Sequence, residues 1–442
     1  MEKIAIKNGH ILTYADTLRS FEGSVFVDGG SIVHVGDLDG EYRESLADEV
    51  IDARGCVITP GFVNLHTHAG SNALRGLAED VPLTPWLNRY VLPAHKFLNK
   101  DEARSDYLLA YMEMIKAGIT SALDMYRFLE EGVNVANLIG IRANLLPYGS
   151  DLPEYEYLEK PKENIRLFEK YIAYTGLARI WLGFEHSTYC TDECLRMYGE
   201  IKKKYNALFH THESETLDVV KRVKKRFGMS PVDVLRKYEL LGPKTVLAHG
   251  VWFDDKEIAE MVASGTSIAH NPTTNMKLAS GVAPVAKMLK MGANVGLGTD
   301  SSKCNNRLDM IQEMKAASLL QKVHLKDASI MSTAEVFKMA TVNGAKALGM
   351  GSQIGRIEAG YKADLAIIDF KSAHLMPMFR GQGIDNTLTN LVYSAMASDV
   401  KTVLVDGRFS MKNRKMINID EEEVIKIANE KAEELLNRMG IR

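Results

Sequence analysis

The chain has 442 residues, 46% hydrophobic and 25% charged, with a formal net charge of −3. The length suits a large α/β barrel with an accessory domain, and the composition is that of an ordinary globular protein. The near-neutral charge gives no electrostatic case for a nucleic-acid or anionic-membrane partner. Four scattered cysteines (Cys56, Cys190, Cys194, Cys304) contain no Cys-x-x-Cys, which predicts a reducing compartment and argues against a cysteine-based metal site. The first residues lack a signal-peptide core, and no apolar run reaches the ~18 residues of a membrane span, so a cytoplasmic protein is expected.

Residues 3–55 predict a small all-β region. Short β-branched runs at 4–6, 11–13, 24–27 and 32–35 are separated by Asn8-Gly9 and Asp28-Gly29, both hairpin signals. The apolar run from Val57 to Leu65 predicts one buried strand that ends in His66-Thr67-His68. On an extended chain residues i and i+2 share a face, so the two imidazoles emerge side by side.

Seven further strands are predicted at 119–125, 143–147, 179–184, 207–212, 245–249, 267–270 and 294–298. Helical stretches such as 101–117 and 192–204 lie between most of them. Eight strands alternating with helices predict a (β/α)8 barrel. The alternative is a doubly wound open sheet, and its dinucleotide-binding version is weakened because no Gly-x-Gly-x-x-Gly follows an early strand. After a helix at 333–348 come a strand at 365–369 and another at 403–407, the latter ending in an Asp-Gly turn like the one near the start. The ends of the chain are therefore expected to share one composite β-sandwich. The division is residues 1–57 and 355–442 for that domain and 58–354 for the barrel. A final helix at 421–438 carries Val424, Ala428, Ala432 and Leu435 as an apolar stripe for packing.

Strand ends carry the chemistry. Besides His66 and His68, they bear Glu185-His186, His210-Thr211-His212, His249, His270 and, on the eighth strand, Asp300. Seven of the chain's 12 histidines thus fall on one rim of a parallel barrel, where active sites of that fold lie. Three neutral imidazoles and one carboxylate suit one divalent ion, best Zn2+, with Fe2+ or Mn2+ as alternatives. The expected ligands are His66, His68, His212 and Asp300. A water in an open position would have its pKa lowered to about 7. Asp300 lies where it takes that water's proton, Glu215 where it shuttles a proton to substrate, and His249 where it orients the water or the attacked centre. His186 is expected to contact substrate. His210 shares the face of His212 one layer deeper and is expected to support the site, and His270 is as consistent with a structural role.

These residues bring out a resemblance. Pro60-Gly-Phe-Val-Asn-Leu-His-Thr-His68, His212-Glu-Ser-Glu215, Ala248-His249-Gly250, His270-Asn-Pro through Gly281, Gly298-Thr-Asp300 and Ala363-Asp364-Leu365 resemble the amidohydrolase superfamily. The similarity is to its methylthioadenosine/S-adenosylhomocysteine deaminase and s-triazine chlorohydrolase branch, and Asn390-Leu-Val-Tyr393 with Val403–Gly407 matches its closing segment. The resemblance implies a metal-dependent barrel, a terminal β-sandwich and hydrolytic deamination of an aminated N-heterocycle by a metal-bound hydroxide, with ammonia released. It implies the same four ligands, Glu215 for proton transfer, His249 for orientation and His186 for substrate. It also leaves homo-oligomers as the expected assembly.

The departures fall in the pocket. Adenosine-type members have Trp-Pro-x-Glu, whose Glu holds the ribose hydroxyls; here the segment runs from Trp86 to Pro93-Ala94-His95. Glu185 replaces a proline, and Ser301-Ser302-Lys303-Cys304 follows Asp300 where small residues are usual. His95, Trp86, Lys303 and Glu215 join His186 as expected substrate contacts. A neutral histidine offers a diol one acceptor where a carboxylate offers two, so poor turnover of ordinary 5′-modified adenosines is expected unless Glu79 or Glu185 takes over the ribose contact. The rival enzyme reading is a triazine-type hydrolase displacing chloride or an alkylamine. A nucleic-acid cytidine-type deaminase is rejected, since it needs Pro-Cys-x-x-Cys, and a non-catalytic scaffold would predict lost ligands.

Overall fold

Strands from the two ends of the chain pair with each other in the computed structural model, which describes residues 2–381 and 383–441. Nine strands make one sheet, with Cys56–Pro60 at its centre between Ile4–Tyr14 on one side and Leu365–Asp369 on the other. Leu18–Asp28 and Ser31–Gly36 extend it on the N-terminal side; Val400–Val405, Arg408–Lys412 and Lys415–Met416 extend it on the C-terminal side. Its apolar side chains, Ile6, Val25 and Ile58 with Leu365, Ile367 and Leu404, pack in one cluster. Burying both halves against each other is what ties ends more than 300 residues apart into one layer.

The Asp28-Gly29-Gly30-Ser31 hairpin forms as expected, with Gly29 and Gly30 at φ +60° and +86° and Asp28 paired with Ser31. Asn8-Gly9 does not make a hairpin. Ile4–Tyr14 runs straight through as one strand, and the ladder with Leu18–Asp28 slips between Ile6 and Gly9, with Asn8 at φ +59°. A left-handed Asn followed by Gly serves a bulge as well as a turn. Gly9 is further required because a Cβ there would lie 2.4 Å from Ile58.

The run expected as one strand from Val57 to Leu65 is two. Cys56–Pro60 belongs to the nine-stranded sheet and Phe62–Thr67 to a parallel sheet with Ile119–Tyr126, Arg142–Pro147 and Ala178–Ile180. The changeover is at Gly61: its N–H donates to Asp364 O, whereas the next N–H, of Phe62, donates to Gly118 O. A Cβ on Gly61 would come within 2.2 Å of Thr120, so only glycine passes between the layers.

Leu182–Gly183, Phe209–Glu213, Thr245–His249, Ser267–His270 and Val295–Leu297 form a second parallel sheet. The predicted fourth strand is split at Trp181, whose N–H donates to Leu145 O of the first sheet while Leu182 N–H donates to Leu208 O beside the second. At the other edge, Asp300 N–H donates to His66 O, and the Asn64 amide bonds Thr299 at 2.7 and 3.0 Å. The predicted helices form at Lys100–Lys116, capped by Asn99 and Glu102, and at Asp192–Tyr205, capped by Thr191. The stretch expected as one helix at 333–348 widens into a π-helical turn at 339–343. The last helix, Glu421–Arg438, packs on Lys100–Lys116 through Val424, Ala428 and Leu435, as expected; Ala432 is half-buried. Among the described residues no helix is long and apolar enough to cross a membrane.

One buried cation clamps the parallel sheet to the terminal one. Arg142 Nε and Nη2 donate to the two oxygens of Asp364 at 2.6 and 3.0 Å, and Nη2 also donates to Asp406 at 2.9 Å. Arg142→Ala leaves the Asp364 carboxylate buried without its partner and is expected to destabilise by about 3–5 kcal/mol. Denaturant unfolding checks this, and a change below about 1 kcal/mol, the size of an exposed pair, would refute it.

Candidate active site

The strand ends bring their side chains to one place. Phe62–Thr67 delivers His66 and, one residue on, His68; Phe209–Glu213 delivers His212; Thr245–His249 ends on His249; and Asp300 follows Val295–Leu297. Ser214, His249 and Asp300 stand at φ +50°, +77° and +56°. Each such non-glycine residue costs about 1–3 kcal/mol, and such strain collects at functional sites because the surrounding fold enforces it.

The proton positions on these imidazoles follow from their hydrogen bonds. His68 Nδ1 is 2.7 Å from the Met125 carbonyl and His212 Nδ1 is 2.7 Å from the Glu185 carbonyl. Carbonyls only accept, so both Nδ1 atoms carry the proton and both Nε2 atoms hold a lone pair. His210 Nδ1 donates to Val246 O at 2.8 Å, which makes His210 Nε2 an acceptor. That nitrogen in turn accepts from His66 Nδ1 at 2.9 Å, leaving the buried His66 Nε2 as a third lone pair with no partner. His68 Nε2 and His212 Nε2 face each other at 3.1 Å without a proton between them. Asp300 Oδ1 is 3.5 Å from His68 Nε2 and 3.8 Å from His66 Nε2.

Burial keeps this cluster uncharged. It pushes His68 down to about 4 and His210 to about 3, and with the neighbouring imidazoles holds His66 and His212 well below the usual histidine value. Three converging neutral lone pairs beside a carboxylate repel one another unless a cation lies among them. The donor set therefore fits a divalent metal ion, each ring fixed by a partner behind it. His249 also approaches: His66, His212 and His249 form a second grouping of candidate ligand atoms. Its Nε2 is 4.0 Å from both Glu215 and Asp300, and the amides of Asn275 and Asn271 meet its Nδ1 at 3.0 and 3.3 Å.

The support role expected of His210 has a direct check. His210→Leu removes the acceptor that holds the proton on His66 Nδ1. Loss of such a partner is expected to weaken metal affinity about 10–100-fold. Competition against a chelator measures it, and unchanged affinity would refute the relay.

Glu215 lines the same cavity as His68, His212, His249 and Asp300, with Ser280 Oγ donating to its Oε1 at 3.4 Å. Burial raises its carboxyl above the usual range, against the pull of His249. Trp86 and Lys303 line this cavity as expected. His186 lines an adjoining hollow that shares Glu185, His212 and Glu215; its Nδ1 accepts from Thr188 N–H at 3.2 Å, and its Nε2 has no hydrogen-bond partner, with Glu213 Oε1 3.6 Å away. His95 stands further back. Its ring stacks on Tyr148 at 4.5 Å, and the Tyr148 ring in turn lies 5.7 Å from that of His68. His270 is fully buried beneath the rim.

Of the two alternative carboxylates, Glu79 ion-pairs with Lys277 at 2.6 Å and does not line the cavity. Glu185 does line it, with Oε2 unpartnered and its carboxyl raised by burial to about 7. Sequence reasoning missed Tyr148 and Leu278 as cavity walls. Tyr148 directly follows the predicted third strand, so rim position alone was its available signal.

The chain is similar to known proteins over nearly its whole length. The Amidohydrolase family profile matches residues 57–409. The chain is 41% identical over 416 residues to a 5-methylthioadenosine/S-adenosylhomocysteine deaminase of Thermococcus onnurineus, covering 93% of this chain and 95% of that protein. It is 38% identical over 446 residues to a 5′-deoxyadenosine deaminase of Methanosarcina mazei, covering 100% of both. Among solved structures, a zinc-bound adenosine deaminase from Xanthomonas campestris superposes with a TM-score of 0.91 at 26% identity, covering 99% of each chain.

Proposed function

The chain belongs to the amidohydrolase family, with its metal-dependent TIM-barrel fold, and on that premise we propose that it is a hydrolytic deaminase of adenosine-like N-heterocycles. The observation that carries this reading is the convergence of three Nε2 lone pairs on Asp300, with the Glu215 carboxyl in the same cavity. We read the two parallel sheets as one closed (β/α)8 barrel and the nine-stranded sheet as a sandwich folded over its own core. Homo-oligomeric assembly belongs to the same reading.

His66, His68, His212 and Asp300 would hold the ion, and three imidazoles with one carboxylate favour zinc. When bound, a divalent ion there supplies the Lewis acidity that makes water nucleophilic near neutral pH. The chain's own groups do the rest. Asp300 takes a proton from the attacking water; its Oδ1 already accepts from Ser301 N–H at 2.7 Å, which holds the carboxylate in place. Glu215 gives a proton to the ring nitrogen beside the attacked carbon, and its burial keeps the acid form available. His249 Nδ1 donates to Asn275 Oδ1 in one tautomer and accepts from the Asn271 amide N–H in the other; in the second, its Nε2–H is the donor that orients the water's oxygen. The water's hydroxyl adds to the ring carbon as the ring nitrogen is protonated. The hydroxyl's remaining proton then returns to Glu215, Asp300 passes the proton it took to the amino nitrogen, and the C–N bond breaks to release ammonia and leave a carbonyl. Glu185 is the group we assign to a ribose hydroxyl or another substrate donor, since it lines the cavity and its Oε2 has no hydrogen-bond partner.

The test is ammonia release by zinc-loaded protein from 5′-deoxyadenosine, 5′-methylthioadenosine and S-adenosylhomocysteine. A kcat/KM above about 10⁴ M⁻¹s⁻¹ on one of them, within the ordinary enzyme range, is expected. Absence of ammonia from all three at full metal occupancy would overturn the reading.

A further inference from the structure

Behind the Trp86 side of the metal cavity lies a second one, and Lys303 is the residue common to both. The second cavity is walled by Leu74, Val91, Leu98 and Leu435, the last from the final helix, and contains His95 and Asp106. Gly70 forms part of its wall because a Cβ there would lie 1.5 Å from the Tyr126 ring.

Lys303 is 3% exposed. Its ammonium donates one hydrogen bond, to Ser71 Oγ at 3.0 Å, and lies 5.3 Å from the centre of the Trp86 ring. An ammonium has three N–H donors, so two remain free. Among the described residues no carboxylate forms an ion pair with it. His95, 4% exposed, has its Nδ1 buried without a partner. Burial holds His95 neutral, raises the Asp106 carboxyl well above the usual range, and lowers Lys303. Asp300, Asp106 and Glu185 attract it from beyond ion-pair distance, and a buried cation with no contacting counter-ion is stabilised by an anion brought against it.

We propose that Lys303 is a specificity residue that receives an anionic oxygen of the substrate, with the Ser71 hydroxyl and the His95 ring completing the subsite. The chemical class is an aminated heterocycle carrying a carboxylate or a phosphate. This rests on the deaminase reading above and adds the charge of the substrate to it. The anion accepts from the free N–H donors of Lys303, from the Ser71 hydroxyl and from a ring N–H of the neutral His95. Trp86, across from Lys303, gives the ring system an aromatic surface to lie against.

Two matched pairs test it: 5′-methylthioadenosine against S-adenosylhomocysteine for a carboxylate, and 5′-deoxyadenosine against adenosine 5′-monophosphate for a phosphate. Hydrogen bonds to charged groups are worth roughly 1.5–3 kcal/mol, so the charged member of at least one pair should lead in kcat/KM by about tenfold or more. The pair that shows the preference identifies the anion. In Lys303→Met the ratio should fall to about one, chiefly through KM, and Lys303→Arg should restore much of it. Lys303→Gln replaces the methionine variant if that one does not fold, as judged by its melting temperature and metal content. A wild-type ratio at or below one in both pairs overturns the inference and leaves the deaminase reading standing, as does a preference that survives loss of the charge. No ammonia from any of the four compounds removes both.

Discussion

His68→Ala is expected to yield protein that has lost most of its divalent ion and turns over at background. His68 Nε2 is one of three lone pairs directed into the cluster, and it is the one lying closest to both His212 Nε2 (3.1 Å) and Asp300 Oδ1 (3.5 Å). Without it the ion loses one of four protein bonds, and the alanine methyl leaves a gap in the buried cluster, so the two remaining imidazoles and the carboxylate hold the ion less tightly. The effect should exceed the roughly 10–100-fold that loss of an outer partner such as His210 costs. The same change leaves the Met125 carbonyl without its donor, so a stability loss of about 1–3 kcal/mol is also expected. Elemental analysis of folded protein separates the two effects. Full metal occupancy in that variant would refute the ligand assignment, whatever happens to the rate.

Glu215→Gln should lower turnover by about 10²–10⁴-fold, the usual contribution of a positioned acid–base group. The substitution preserves shape and leaves an oxygen for the Ser280 hydroxyl to meet. It removes the titrating carboxyl that burial tunes upward. Glu215 is not among the atoms grouped as candidate metal ligands, so metal content should match the wild type. That combination, a full site with a slow reaction, distinguishes proton transfer from metal binding. Near-normal turnover would assign the proton step elsewhere, with Glu185 the other cavity-lining glutamate to examine.

The two experiments also separate what the chain itself makes legible. Alternation of apolar runs and helical spacing marks the parallel strands, though not the breaks at Gly61 and Trp181, because the buried face of an element repeats with its own period. Histidines at strand ends mark the rim, since consecutive strands run the same way and their ends must open together. Asp28-Gly29-Gly30 marks its hairpin because two left-handed residues are needed there and glycine adopts that conformation without strain. These features depend on neighbours close in sequence or on a repeated topology, and they were readable for that reason.

Contacts between distant segments decided the rest. Pro60-Gly61 is a local sign of a break, but which sheet each side joins is decided by distant partners, since Asp364 accepts one N–H and Gly118 the next. Asn8-Gly9 carries the same turn chemistry as a hairpin and became a bulge because Ile4–Tyr14 finds Leu18–Asp28 to pair with along its length. The proton on His66 is assigned through His210 to a carbonyl at Val246, a chain of hydrogen bonds across three strands. Lys303 and His95 are 208 positions apart, and the Tyr148 ring touches both His95 and His68. Residue identity and spacing determine which chemistry the site can hold; side-chain direction and proton position depend on partners brought together only by folding.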